Sequence, residues 1–361
     1  MPKSLVSLGL SIIFLLGAVN STFGQTIRLS ETIKVDATAN FQVTPRSFCV
    51  TEDEIFLFPD YEGSTIKIFS KKENSLKLIN ELGPKFEEKI AFSRPMYCFY
   101  SLKEGKLGVI DYGSREIFIF GRRVKDYFEL IKIVDCPRLG YDMEFAGDGD
   151  QLIVSGYTVD KANNPFDLYG INIISGQINY LLPSYEKYNL KTTKDWILEY
   201  RQKQTLPAIG IKAFIDIQGD YLFFIWEGSL KVIKFNLDLN RIQSTFGHET
   251  LHYNRPLGAK LSDSFKKGDS KTWKKLKREG PYSYIRNTFA TSKHVFLIYE
   301  TSGNIFRLQT YTPEGDYISD ILIPHNPGRQ MWMDKEDYEL YAFAGQEGSN
   351  TILKYKIIIN R

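Results

Sequence analysis

The chain has 361 residues, of which 43% are hydrophobic and 14% aromatic, with 46 Lys and Arg against 43 Asp and Glu and a net charge of +3. This composition excludes a disordered chain and supplies enough apolar residues for one large all-β domain or two ordinary domains. The modest charge also argues against nucleic acid as a partner.

The first residues have the pattern of an export signal. Lys3 gives a positive start, Leu5 to Val19 carries no charge, and Thr22 and Gly24 are small residues at −3 and −1 of a cut before Gln25. The run is short and rich in Ser and Gly for a membrane span, and no cysteine lies near the cut to carry a lipid. The expectation is a signal peptide over 1–24 and an exported domain over 25–361, periplasmic or extracellular.

Downstream, Tyr, Phe, Ile and Val fill short segments between Gly, Asp and Ser clusters, which is the pattern of antiparallel strands. Thr26 to Val35 is such a segment with no repeat of its own. The second strands of successive repeats begin near Ile55, Leu107, Leu152, Tyr221, Val295 and Tyr338, at spacings of 52, 45, 69, 74 and 43 residues. Each follows a polar turn, such as Lys103-Glu104-Gly105 or Gln218-Gly219-Asp220. A unit of about 45 residues with four strands is a β-propeller period. The last unit has only three strands before Arg361, so Thr26 to Val35 is expected to supply the fourth and leave no open edge. The fold class read from this is all-β: a six-bladed β-propeller closed by the N-terminal strand, with short helical insertions on one face.

Phe92-Ser93-Arg94-Pro95, then Gly105, Leu107 to Asp111 and Arg115 to Phe120, resembles one NHL-type repeat. The usual course of that repeat is F-x-x-P, a Gly turn, an apolar strand ending in Asp, and a basic-apolar strand. Asp60 to Phe69 repeats the second half. The mature chain as a whole resembles the NHL-like and TolB-like six-bladed propellers of exported bacterial proteins, which implies a fold and a binding habit without naming one activity.

Three departures from the repeat, Gly156 to Asp167, 185–210 and 248–281, are expected on one face of the ring, where binding loops gather. In the first blade-to-blade insertion, Thr192 and Asp195 form a capping box ahead of Trp196, Ile197 and Tyr200. The second carries a local charge excess, nine Lys and Arg against three Asp and Glu over 255–281. Its stretch 271–278, KTWKKLKR, reads as a solvated lid helix with a weak contact to an anionic surface as the other possibility.

His248-Glu249-Thr250-Leu251-His252 matches H-E-x-x-H, a zinc signature when it lies on a helix. Gly247 before it and Pro256 after it make an ordinary loop the better reading, so His248 and His252 stand only as weak metal candidates and no cofactor is assigned. Asp111, Asp142, Glu227, Asn287 and Glu300 are individually possible members of the channel metal set of six-bladed lactonases, but no complete set can be assembled. No Ser-His-Asp arrangement and no phosphate-cradling glycine loop is evident. Cys49, Cys98 and Cys136 are read as small core residues.

One alignment points to a site. Nine residues before the second strand, where the innermost strand starts, the repeats carry Arg46, Lys212, Arg286 and Arg329. Four cations in register would ring the channel mouth, with Tyr112, Trp226 and Tyr299 placed to stack on a ligand and Tyr61 and Trp332 nearby. The reading is a monomeric, non-catalytic binding protein. Its partner would be a protein, a peptide, or an anionic small molecule or glycan, bound through the insertion-bearing face. The alternative is a metal-dependent hydrolase or lactonase of the six-bladed class.

Overall fold

The computed structural model of the chain describes residues 24–36, 41, 44–84, 90–136, 140–162, 165–183, 212–254, 282–346 and 349–359. Among these there is no helix, and 24 strands form antiparallel sheets of the propeller type.

The strands follow chain order. The N-terminal strand is β1 (Thr26–Val35). A first sheet holds β2 (Cys49–Val50), β3 (Ile55–Asp60), β4 (Thr65–Lys72) and β5 (Ser75–Leu82). The second holds β6 (Pro95–Ser101), β7 (Lys106–Asp111), β8 (Glu116–Val124) and β9 (Tyr127–Asp135). The third holds β10 (Asp142–Ala146), β11 (Gln151–Val159), β12 (Pro165–Asn172) and β13 (Ile178–Pro183). The fourth holds β14 (Ala213–Gln218), β15 (Tyr221–Trp226), β16 (Val232–Asn236) and β17 (Arg241–Phe246). The fifth holds β18 (Tyr284–Ala290), β19 (Val295–Thr301), β20 (Ile305–Tyr311) and β21 (Tyr317–Leu322). Last come β22 (Gln330–Asp334), β23 (Glu339–Gln346) and β24 (Ser349–Ile358). Every second strand starts within one residue of the position read from the repeat.

β1 pairs antiparallel with β24 from Thr26↔Ile358 to Lys34↔Thr351 and touches β5 in parallel at Lys34↔Ser75 and Val35↔Leu76. Strands β1 to β5 and β22 to β24 thus run as one eight-stranded sheet, in the order β2-β3-β4-β5-β1-β24-β23-β22.

Burial explains why the strands differ in composition. Middle strands are covered on both faces by neighbouring sheets, so β3 (IFLFPD) and β16 (VIKFN) are buried at every position. Outer strands have one wet face and alternate, as in β17 (RIQSTF). Neighbouring sheets share apolar layers: Ile55, Leu57 and Ile68 pack with Leu107, Val109 and Phe118, for example.

The turns are set by buried carboxylates. Asp111 is fully buried and accepts hydrogen bonds from four backbone amides, Ser93 (2.7 Å), Arg94 (2.9 Å), Gly113 (2.7 Å) and Ser114 (3.1 Å). The Asp that ends the second strand therefore caps its own turn and ties it to the Ser93-Arg94-Pro95 entry of the same repeat. Asp111 is a turn residue, not a metal candidate.

One expectation changes at the loops. Gly156 to Asp167 is mostly strand, because β11 and β12 run on through a bulge at Ser155 and Thr158 and leave only residues 160–164 between them. The stretch 248–254 is loop and turn. The helical readings of 185–210 and 271–278 lie outside the described residues.

Candidate functional site

The inner strands of the sheets surround a cavity of about 1490 Å³. In β10 and β14 the side chains of alternate residues point to it or into the sheet interfaces. Asp142 and Glu144 alternate with buried Met143 and Phe145, while Lys212, Phe214, Asp216 and Gln218 share the cavity face of the next sheet.

At the end where the inner strands begin, the structure brings the four cations together. Arg286 is buried and donates to Glu300 (Nε to Oε2, 2.5 Å) and Glu227 (Nη1 to Oε1, 2.8 Å). Arg329 binds Glu300 with both arms of its guanidinium, at 2.9 Å each. Burial opposes the charge on Glu300, but the bonds from Arg329 and the nearby Arg286 prevail and hold its carboxyl below the usual range. Lys212 and Arg46 line the same cavity and make no side-chain hydrogen bond or ion pair among the described residues. Burial pushes the Lys212 ammonium below the ordinary lysine value; Glu227 opposes this, and Arg286, Arg46 and Arg329 add to it. Among the described residues, Glu227 and Glu300 are the carboxylates paired with this group of four cations, and both are paired with arginine.

The aromatic expectations fare differently. Trp226 is 1% exposed, with its indole N–H donating to Asp167 at 3.0 Å, and Tyr299 is 0% exposed, with its hydroxyl donating to Asp320 at 2.6 Å. Both fill the interfaces between sheets, because they lie on second strands that are covered on both faces, and neither offers a stacking surface. Tyr112 is partly buried, its ring against Tyr97 and its hydroxyl donating to the Gly140 carbonyl at 2.6 Å. Tyr97 is the ring that lines the cavity; burial pushes its hydroxyl up to about 12, with Arg46 opposing. Trp332 lines the cavity as well and packs on Tyr341, while Tyr61 sits under Arg94.

Farther along the cavity is a second group that the repeat alignment did not reveal. Lys335 donates to Asp216 (2.5 Å) and to the Ile217 carbonyl (3.3 Å). Asp216 also accepts from the Ala290 amide at 2.5 Å, and Asp142 accepts from the amides of Ile215 and Met143, each at 3.0 Å. Burial raises the Asp142 carboxyl to about 7, helped by Asp216. Glu144 is likewise raised, by burial first and then by the nearby charge of Asp216. The sequence signal was a charge inside an apolar strand, Asp216 between two isoleucines, and the Asp142/Glu144 pair two apart on one face.

His248 and His252 are not on a helix, so the face that would present both imidazoles to a metal is not built. The His248 ring stacks on Tyr317, with centroids 4.1 Å apart. Asn287 donates to the Met331 carbonyl at 3.2 Å. A carboxylate cluster of Asp334, Asp337 and Glu339 lies at a surface turn, where Asp334 accepts from the amides of Glu336 and Asp337.

Against known proteins, no family model and no curated sequence matches the chain. Solved structures do. A member of the DUF4221 family from Bacteroides vulgatus is 11% identical, covering 93% of this chain and 99% of its own, with a TM-score of 0.62. Hydrazine synthase from Kuenenia stuttgartiensis is 12% identical over 84% of this chain and 75% of its own, with a TM-score of 0.50. At such identities the likeness concerns the fold alone, and it agrees with a propeller-like arrangement of four-stranded sheets.

Proposed function

We propose that the chain is an exported, non-catalytic binding propeller of the six-bladed NHL-like or TolB-like kind, monomeric, which holds an anionic group at the mouth of its channel. The observation that carries this is the pair Arg46 and Lys212, cavity-lining cations that make no ion pair among the described residues, beside an Arg–Glu network in which Glu227 and Glu300 are already paired with arginine. A carboxylate or phosphate of a peptide, glycan or small metabolite supplies the missing charge. In this reading Arg286 positions Glu227 and Glu300, while Arg46, Lys212 and the half-exposed edge of Arg329 meet the ligand, with Tyr97 beside them.

Ring closure is supported by the apolar layers. One is shared by each successive pair of sheets, and the layer of Ile33, Tyr341 and Phe343 with Phe56, Phe58 and Phe69 joins the last strands to the first. The pairing of β1 with β24 supports closure by the N-terminal strand. Export is supported by the sequence of the segment 1–24, of which residues 1–23 lie outside the described residues.

The hydrolase reading draws on Asp142, Glu144 and Asp216, three carboxylates in one cavity. Lys335 already supplies a cation to Asp216, which favours the binding reading.

Titration calorimetry of the full chain with citrate and with inorganic phosphate tests the proposal. Binding to at least one, weakened at least tenfold by Arg46→Ala, is expected. Equal heats for wild type and an Arg46→Ala, Lys212→Met double variant would sink it.

A further inference from the structure

The channel wall holds two thiols face to face. Cys49 in β2 and Cys98 in β6 belong to adjacent sheets, and their Sγ atoms are 3.4 Å apart. Cys98 donates through its amide to Ser47 Oγ at 2.8 Å, which fixes the two inner strands side by side. Its thiol also points to the Leu57 carbonyl at 3.5 Å, and Leu57 is the register partner of Cys49. Both side chains are thus confined to the same small volume. A disulfide bond is about 2.05 Å long, so closing the gap takes about 1.4 Å of combined sulfur movement, within reach of small χ1 rotations.

The place of the pair in the fold gives it a purpose. β2 is two residues long, whereas the other inner strands have five to seven. It is held to β3 by only two register pairs, Cys49↔Leu57 and Val50↔Phe56. Arg46, one of the mouth cations, lies three residues before Cys49. The weakest inner strand therefore carries both a mouth residue and a cysteine aimed at its neighbour.

We propose that Cys49 and Cys98 form a disulfide that staples the inner strands of the first two sheets when the protein meets a disulfide-bearing oxidant. The thiolate of Cys98, the more exposed of the two at 8% against 1%, attacks one sulfur of the donor and expels the other as a thiolate. Cys49 then attacks the Cys98 sulfur of the mixed disulfide and expels the second donor thiolate. The two cysteine protons end on the two released donor thiols, so one donor disulfide is reduced for each protein disulfide formed. Burial, then the bond and charge of Cys98, raise the Cys49 thiol, so the reaction is slow and the product, once formed, is shielded. Cys136 takes no part, since its sulfur faces the Tyr169 hydroxyl at 3.5 Å in another interface.

The test uses the full purified chain, reduced, desalted and incubated with oxidised glutathione, then unfolded and alkylated with N-ethylmaleimide. One alkylated cysteine per chain is expected in place of three, with a digest peptide pair joining Cys49 to Cys98. The crosslink should survive in Cys136→Ser and vanish in Cys98→Ser. The oxidised chain should also melt several degrees higher than the reduced one, because a loop of about 50 residues is closed in the unfolded state. Three alkylated cysteines after long incubation, a lasting glutathione adduct, or a bond through Cys136 or to a second chain would overturn the assignment. So would an oxidised chain that melts no higher than the reduced one, since the bond would then be no staple.

Discussion

Glu300 accepts two parallel hydrogen bonds from Arg329 at 2.9 Å each, and its Oε2 also takes the Nε–H of Arg286. Through Glu227, which binds the far end of Arg286 at 2.8 Å, charges of alternating sign run Arg329–Glu300–Arg286–Glu227 across three neighbouring sheets. Arg286, Glu227 and Glu300 are all buried, so each of these charges depends on its partners in the chain. Glu300→Gln removes the charge that both arginines share and leaves Arg286 underpaired in a buried place. Breaking one partner of a buried pair costs about 3–5 kcal/mol. The loss should appear as a lower denaturation midpoint with an unchanged m-value. Arg329→Ala, removing a side chain that is 47% exposed, should cost far less.

Asp111 offers a separate test of the turn logic. Its carboxylate takes four amides, and Asp111→Ala would leave several of them buried without an acceptor. A loss of about 3 kcal/mol or more is expected, since unsatisfied buried donors cost about 1–3 kcal/mol each and the partners can relax only in part. Asp111→Asn, which keeps one carbonyl acceptor, should fall between. Urea titration of the three proteins checks the order; a near-neutral Asp111→Ala would mean that the turn holds without its cap.

The architecture was legible because the repeat imposes the same chemistry on each unit. Polar turn, apolar strand and terminal carboxylate recur, so Ile55, Leu107 and Tyr221 could be aligned without a structure. The cations at the mouth were legible for the same reason, as a column of Arg and Lys in register. What these residues touch was not. Arg286 looks like a ligand-facing cation in the alignment, and only the chain crossing to Glu227 and Glu300 shows it to be engaged. Trp226 and Tyr299 failed as stacking residues because they lie on the second strands β15 and β19, which neighbouring sheets cover on both faces. Glu144, Asp216 and Lys335 meet across three sheets, and no periodicity encodes that meeting.

Asp142 predicts a pH effect on stability with a definite sign. Its carboxyl titrates at about 7 in the folded chain because burial disfavours the charge, against about 3.9 when unfolded. Between those values the folded state holds a proton that the unfolded state has lost. The stabilising contribution is therefore complete below about pH 4 and is lost as pH rises toward 7. Glu144, shifted in the same direction, adds to it. Thermal melts of wild type and Asp142→Asn between pH 5 and 8 should show wild type losing stability with rising pH more steeply than the variant. Parallel curves would remove Asp142 from the account.

The pairing of β1 with β24 extends over eight residue pairs, from Thr26 to Lys34. Deleting residues 25–36 would expose the edge of β24 and uncover Ile357 and Tyr355, now 4% and 0% exposed. In the closed ring proposed above, every sheet leans on two neighbours, so one open edge weakens all of them. A fall of many degrees in the melting midpoint and a tendency to associate through the open edge are expected, read by calorimetry and light scattering. A monomeric deletion variant with an unchanged midpoint would show that β1 is dispensable for closure.

Lys212 and Arg46 make the anion proposal testable by pH and salt together. Buried among Arg286, Arg46 and Arg329, the Lys212 ammonium has its pKa lowered, so its charge costs the folded state at neutral pH. Stability gains as pH rises from that lowered value to the ordinary lysine value, and the cost returns as pH falls through it. A bound anion relieves the cost by supplying the missing countercharge, which pulls the lysine pKa back up. Affinity for phosphate or citrate should therefore decline as pH rises through the lowered Lys212 pKa, earlier than an ordinary lysine would dictate, with proton uptake on binding in that range. Lys212→Met should remove this decline, while Arg46→Ala should weaken binding about ten- to hundred-fold at every pH, the usual loss for one charge-assisted contact. Raising salt from 50 to 500 mM should weaken wild-type binding less than it weakens a fully exposed pair, because the recessed mouth is poorly screened. Calorimetry in two buffers of different ionisation heat measures affinity and proton uptake at once. Proton release, or a pH profile unchanged in Lys212→Met, would place the anion away from this lysine.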